Sequence, residues 1–175
     1  FKNTSSPDAV AYFDGQLYVT NGRIIEKINL KTFYSEQFDL PESHHISDIE
    51  VNSDGLFYFT GSRFVNDDSI GCYISSYNQK SAAYRINYME DWTDLRTIGN
   101  GVPMTGLFLS SSGLLYLAND INQCLELYDN NFNLILKTNI RDFGYDYTRP
   151  WDVYCRKNKI YVAAPHQIHV FSQHY

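Results

Sequence analysis

The sequence has little cysteine, with three residues in 175. Cys72, Cys124 and Cys155 form no Cys-x-x-Cys pair and no cysteine–histidine spacing suited to structural zinc, which excludes a disulfide framework and a zinc module. At most one disulfide can form within the chain, so the cysteine count leaves the cellular compartment open. The glycosylation sequon at 3–5 favours a secreted protein.

Positive charge and long apolar runs are also scarce. The chain has 14 Lys and Arg against 20 Asp and Glu, a formal charge of −6. This balance leaves no broad basic surface, so nucleic acid and anionic membranes are poor partners. No apolar run approaches the roughly eighteen residues of a membrane span. Phe1 is neither an initiator Met nor part of a signal peptide, so we expect a processed or truncated N-terminus.

Motifs for nucleotide binding and nucleophilic catalysis are absent as well. The sequence contains no P-loop, no Gly-x-Gly-x-x-Gly and no Gly-x-Ser-x-Gly. His166 and His169 are three residues apart in a predicted strand, hence on opposite faces, and cannot chelate one ion together. What the chain does contain is apolar matter, 43% hydrophobic and 16% aromatic residues, which is enough for a packed domain.

Four segments repeat one pattern: a turn residue, any residue, a large apolar residue, tyrosine, an apolar residue and a small residue. A second apolar run precedes each copy, separated from it by two to four turn formers, as in adjacent strands of a meander. The copies recur about every 45 residues, and the longest interval contains an insertion. The copies are 15–20, 55–60, 113–118 and 158–163, and the insertion is 62–83.

Further runs complete the pattern. Third strands are predicted at 23–28, 124–128 and 167–171, and fourth strands at 34–40, 95–98 and 134–138. No segment has sustained helical periodicity. The sequence therefore predicts an all-β chain, a β-propeller of four-stranded antiparallel blades. The blades lie at about 7–40, 46–98, 103–139 and 149–175, in a single propeller domain or a propeller fragment.

Blades three and four carry a family resemblance. The segments 103–129 and 149–171 resemble NHL repeats, which run Pro-x-Gly-apolar-apolar-x-Asp, Gly-x-apolar-Tyr-Val-Ala-Asp and Arg-Ile-x-Val-Phe. The resemblance implies a propeller of six blades, similar to the gluconolactonase (SMP-30) group. A second resemblance, carried by 7–22 and 47–61, is to hemopexin-like four-bladed propellers.

Ring closure poses a physical problem. The last blade ends before a fourth strand can form, which leaves an unpaired edge prone to aggregation. Either residues before Pro7 supply that strand, or the chain belongs to a larger ring. Six blades need roughly 250 residues at this period. We therefore expect missing blades or a partner chain to complete the ring.

The inner strands begin with a series of carboxylates. Asp8, Asp48 and Asp152 would form a collar around a propeller axis, and repulsion between them would be relieved by Ca²⁺ or another divalent cation such as Mg²⁺. The gluconolactonase resemblance then implies a metal-dependent hydrolase or lyase. Alternatively, each Asp caps backbone amides of the adjoining blade. His44 and His45 precede Asp48 and could serve proton transfer or metal binding there.

The other candidate site is a set of aromatic and charged loop residues. Such side chains anchor protein interfaces and stack on sugar rings. The insertion is expected to be a solvated loop. The preferred function is a non-catalytic binding or scaffolding propeller that recognises a protein or glycan partner through rim loops. The proposed contact residues are His44, His45, Trp92, Tyr145, Tyr147, Arg149 and Trp151.

Overall fold

The computed structural model describes residues 7–40, 45–66, 69–92, 104–120, 122–140, 149–165 and 167–172. Within these ranges the regular elements are strands, and no α-helix occurs. The strands are β1 (Val10–Phe13), β2 (Gln16–Asn21), β3 (Ile24–Asn29), β4 (Ser35–Asp39), β5 (His45–Val51), β6 (Leu56–Asn66), β7 (Ser69–Asn78), β8 (Ala83–Trp92), β9 (Met104–Leu109), β10 (Leu115–Asn119), β11 (Cys124–Tyr128), β12 (Leu134–Asn139), β13 (Asp152–Arg156), β14 (Lys159–Ala164) and β15 (Gln167–Ser172).

The chain divides into two compact units, residues 1–99 and 100–175. Unit 1 contains the antiparallel sheets β1-β2-β3-β4 and β5-β6-β7-β8. Unit 2 contains the sheets β9-β10-β11-β12 and β13-β14-β15, the last with three strands in the described part of the chain. The prediction of an all-β chain with four antiparallel blades is confirmed. In the described ranges no helix is long and apolar enough to cross a membrane.

The tyrosine of each repeat lies in the second strand of its sheet. Tyr18, Tyr58 and Tyr116 are buried and Tyr161 is half-buried, so the repeated tyrosine is a core residue. In unit 1 the Tyr18 ring packs edge-on against Phe57 of the next sheet, with centroids 5.0 Å apart. Aromatic pairs of this geometry stabilise a core beyond their buried area.

The core of unit 2 is formed between its two sheets. The apolar cluster joins Tyr116 and Leu125 of the first sheet to Val153 and Val162 of the second. In each unit, therefore, two sheets pack face to face around the second strands. The apolar pattern on both faces of these strands is the cause, because each has side chains to bury on either side.

The prediction of a solvated loop at 62–83 is wrong. These residues continue β6 to Asn66 and form β7, so that the second sheet contains strands of 10 and 11 residues. Cys72, Tyr73 and Ile74 are buried. The many Asn, Asp and Ser residues of the segment concealed this run of strand-forming side chains. The fourth strand is accordingly β8, and the predicted strand 95–98 lies outside the described residues.

The inner strands β5 and β9 begin with a β-bulge, where two of their residues face one residue of the second strand. The pairing register shifts between Ile46 and Asp48 in β5 and beside Gly106 in β9. In the first sheet, Thr20 bonds through its backbone to both Asp8 and Ala9. In the fourth, the Trp151 amide donates to the Ala163 carbonyl while Asp152 is paired with Ala163. Bulges re-aim side chains at strand ends.

The strand pairing shows which residues occupy equivalent positions at the start of the four inner strands. The residue that faces the small side chain two positions after the tyrosine is Asp48 in the second sheet, Gly106 in the third and Asp152 in the fourth. In the first sheet that position belongs to Ala9, and Asp8 lies one residue earlier. The first hairpin has a two-residue turn, and this shorter connection displaced the alignment by one position.

Candidate functional site

The first candidate site, in unit 1, is the contact between Asp8 and His45. Asp8 Oδ2 accepts a hydrogen bond of 2.7 Å from the Gly22 amide, and Asp8 Oδ1 lies 3.5 Å from His45 Nε2. Roughly a quarter of the Asp8 side chain and 37% of the His45 side chain remain exposed. Asp8 was predicted from the sequence to be a metal ligand and His45 to be a contact residue. The structure places these two side chains next to each other.

The backbone of His45 is held firmly. The Tyr73 hydroxyl donates a hydrogen bond of 3.2 Å to the His45 carbonyl. Gly61 lies against this carbonyl. A Cβ added at Gly61 would collide with the His45 carbonyl and approach the Tyr73 hydroxyl to 2.6 Å. A glycine is therefore required at this position for β5 and β6 to approach so closely.

Asp48 and Asp152 use the same local contact. Asp48 Oδ1 accepts a hydrogen bond of 2.8 Å from the Ile49 amide, and Asp152 Oδ1 accepts one of 2.7 Å from the Val153 amide. Both amides belong to the residue's own strand. The alternative prediction, that these carboxylates cap backbone amides of the adjoining blade, stays a prediction.

The described residues contain no group of three or more His, Cys, Asp or Glu side chains arranged to hold a metal ion. Asp8 and Asp48 belong to unit 1 and Asp152 belongs to unit 2. A divalent cation on a collar of these carboxylates, and the hydrolase that depends on it, stay predictions from the sequence.

The second candidate site, which we name the Trp151 surface, lies in unit 2 and consists of Asp120, Arg149, Trp151 and Asp152. Trp151 is 51% exposed, and its amide is fixed by a hydrogen bond of 2.8 Å to the Ala163 carbonyl. The Arg149 side chain is 56% exposed, and its Nε lies 3.7 Å from Asp120 Oδ1. An accessible indole and a guanidinium held by a largely buried carboxylate are typical anchors of an interface.

The carboxyls of this surface have perturbed pKa values. Loss of surrounding water raises the pKa of Asp120, and the positive charge of Arg149 opposes that rise. Loss of water likewise raises the pKa of Asp152, opposed by the Val153 amide. A Cβ added at Gly106 would collide with the Asp152 backbone and lie 2.7 Å from its Oδ1. Close contact with β9 thus explains why the carboxylate loses water.

The Cys155 thiol is a poor nucleophile at neutral pH. The three cysteines, all in the described part of the chain, form no disulfide. Burial raises the pKa of the Cys155 thiol to about 12, a shift that a hydrogen bond with Tyr116 opposes. Because only the thiolate is reactive, Cys155 is inert at neutral pH.

Of the remaining predicted contact residues, one lies in a described strand and three lie outside the described residues. Trp92 is the last residue of β8, so it belongs to a strand and not to a loop as predicted. His44, Tyr145 and Tyr147 lie outside the described residues.

The sequence analysis missed a buried polar position in the third strand of every sheet. The side chains there are exposed by 4% or less, and each faces the residue that directly follows the repeated tyrosine. The signal was a polar residue within an apolar run, which the alternating pattern assigned to the solvent side. The four residues are Glu26, Ser75, Glu126 and His169.

Glu126 is satisfied within its own sheet. Its Oε2 accepts a hydrogen bond of 2.7 Å from the Tyr128 hydroxyl, and Lys137 Nζ lies 2.8 Å from its Oε1. Cys124 Sγ and Asn119 Nδ2 approach the same Oε1 at 3.4 and 3.5 Å. A buried carboxylate with this many donors stabilises the fold.

Glu26, the equivalent residue in unit 1, receives no hydrogen bond and no ion pair from any described residue, although it is only 4% exposed. Its side chain lines a cleft of about 400 Å³. The other lining residues are Pro7, Asp8, Ala9, Val10, Val19 and Ile28.

No family model and no curated protein matches the chain. Solved structures do. A chain of the nidogen/laminin complex superposes with a TM-score of 0.71 at 15% identity, over 95% of this chain and 59% of that one. A protein of unknown function from Bacteroides caccae gives 0.58 at 11% identity, over 95% and 56%. The extracellular domain of a putative one component system from B. thetaiotaomicron gives 0.50 at 14% identity, over 93% and 26%.

The chain has the β-propeller fold. At these identities the likeness concerns the fold alone, and one fold serves many functions. The chain spans less than two thirds of the length of each of these structures.

Proposed function

We propose that this chain is a non-catalytic, NHL-like propeller that binds a partner protein through the Trp151 surface. The observation that carries the proposal is the half-exposed indole of Trp151 together with the exposed guanidinium of Arg149. Tryptophan and arginine are the residues most enriched among those that dominate binding energy.

The electrostatics of the surface support a protein partner. Asp120 is 88% buried and orients Arg149 from one side, which leaves the other donors of the guanidinium available. A partner carboxylate or carbonyl can accept from these donors while an apolar residue packs on the indole. A solved chain with the same fold is found in a complex with another protein, the nidogen/laminin complex.

The test begins with capture of proteins from an extract by the immobilised chain, followed by affinity measurement with each purified candidate by surface plasmon resonance. Trp151→Ala is expected to weaken binding at least tenfold, because it removes the largest apolar contact of the surface. Tyr34→Ala is the matched control, since Tyr34 is 68% exposed but belongs to unit 1. Equal affinity of the Trp151→Ala and wild-type chains for every candidate would overturn the proposal.

A further inference from the structure

The Glu26 side chain is almost completely buried and has no partner among the residues that the structure describes. An isolated carboxylate in an apolar setting is costly, and such groups are normally paired with a cation or several donors. Glu26 is 4% exposed, its cross-strand neighbours are Val19 and Gln37, and no described residue donates to it. The carboxylate therefore faces the cleft, where a bound cation can replace water as its donor.

The third sheet shows which kind of donor fits this position. Glu126 occupies the same position as Glu26, and Lys137 on the adjacent strand supplies an ammonium at 2.8 Å. In the first sheet the residue in the place of Lys137 is Gln37, which carries no charge. The two sheets thus differ by one cation at one register position.

The surroundings of Glu26 accept a cation on an apolar stem. The cleft walls are mainly apolar, and Asp8 adds a second carboxylate at the edge. Val10 in the cleft wall and Tyr12 on the same sheet face are 57% and 65% exposed. Lysine and arginine have this combination of an aliphatic stem and a charged head.

We propose that the Glu26 cleft binds a lysine or arginine side chain of a partner polypeptide. Its cation pairs with Glu26, and the apolar residues on either side of it cover Val10 and Tyr12. A free amine would leave those two side chains exposed, which favours a polypeptide. A second copy of the chain placed face to face would bring two Glu26 carboxylates together, which like-charge repulsion opposes. The inference rests on the proposed protein-binding function but concerns a different surface.

The test uses a short peptide with lysine between two leucines, and its analogue with uncharged norleucine in place of lysine. Binding to the 175-residue chain is measured by NMR titration. The lysine peptide is expected to bind at least tenfold more tightly than the norleucine peptide. Glu26→Gln is expected to remove this preference, because the amide carries no charge. Glu36→Gln is the matched control, since Glu36 is a surface carboxylate paired with Lys27 and its loss should leave binding unchanged.

Gln37→Lys provides a second, independent variant. It places an ammonium where Lys137 stands in the third sheet, so that Glu26 is satisfied internally. This variant is expected to be at least as stable as the wild type and to lose the preference for the lysine peptide. It keeps the proposal falsifiable even where Glu26→Gln disturbs the cleft.

Three results would overturn the inference: equal binding of both peptides, an unchanged preference in Glu26→Gln, or n-butylamine binding as tightly as the lysine peptide. Concentration-dependent self-association abolished by Glu26→Gln would also overturn it, because the occupant would then be a second copy. Failure here is distinguishable from failure of the proposed function. Loss of a captured partner in Trp151→Ala with no effect of Glu26→Gln would retain the function and reject this cleft.

Discussion

Glu26 and Glu126 occupy the same position of the third strand in two sheets of one chain, and both are almost completely buried. Glu126 is surrounded by a hydroxyl, an ammonium, a thiol and an amide, whereas Glu26 has no donor among the described residues. The comparison teaches that strand position determines burial but not role. The role depends on whether neighbouring strands supply donors.

The largest expected effect is that of Glu126→Leu. This change leaves the Tyr128 hydroxyl and Asn119 amide without their acceptor and removes the partner of Lys137. We expect the free energy of unfolding to fall by about 3 kcal/mol, because two buried donors lose their acceptor, whereas Lys137 is 44% exposed and regains water. Urea unfolding followed by fluorescence measures it. A loss below about 0.5 kcal/mol would mean that the Glu126 network contributes nothing net.

Tyr128→Phe separates one contact from the rest. It removes the 2.7 Å hydrogen bond of the Tyr128 hydroxyl to Glu126 Oε2. Because the acceptor is charged and buried, the expected loss is about 2 kcal/mol by the same unfolding measurement. Tyr34→Phe, at an exposed site in unit 1, serves as control and should change stability little.

Glu26→Leu should change the free energy of unfolding in the opposite direction, towards higher stability. In the chain without a partner, this substitution replaces an unpaired buried carboxylate by an apolar side chain beside Val10, Val19 and Ile28. We expect the free energy of unfolding to rise by about 1 kcal/mol. A decrease comparable to that of Glu126→Leu would show that the two carboxylates have equivalent roles, and the comparison would fail.

Asp152 is an intermediate case, desolvated but with one amide donor, and its effect is the smallest. Its pKa is raised in the folded state, so the folded chain binds more protons than the unfolded chain above the ordinary value of 3.8. Its contribution to stability is therefore present at low pH and lost as the pH rises through the raised pKa. Asp152→Asn lacks this titration, so its stability relative to wild type should increase from acidic to neutral pH. Unfolding curves at several pH values measure the difference, and a parallel pH dependence of both proteins would contradict the assignment.

Much of the architecture could be predicted from the sequence because it depends on local patterns. The repeated tyrosine and its preceding turn located the second strand of all four sheets. The turn at Asp14 and Gly15, both with positive φ, is a two-residue hairpin connection of the kind that such residue pairs favour. Arg149 and Trp151 were also singled out from residue type and position before an inner strand; both are exposed in the structure, and their role in binding stays a prediction.

Other features could not be predicted, for physical reasons. The one-residue offset of Asp8 from Asp48 and Asp152 depends on the length of the first hairpin turn and on hydrogen bonds between strands, which a one-dimensional alignment does not contain. The insertion was mistaken for a loop because composition outweighed the alternation of its apolar residues. The contact of His45 with Asp8 joins the starts of two sheets far apart in sequence.

The sequence by itself determined the strands, the turns and the buried tyrosines, since each follows from the side-chain period of a strand and the conformational preferences of turn residues. Only the tertiary structure decided which polar groups are satisfied. Whether a carboxylate such as Glu26 or Glu126 has a donor depends on which residue the adjacent strand places opposite it. That residue is selected by the pairing register and by packing between sheets.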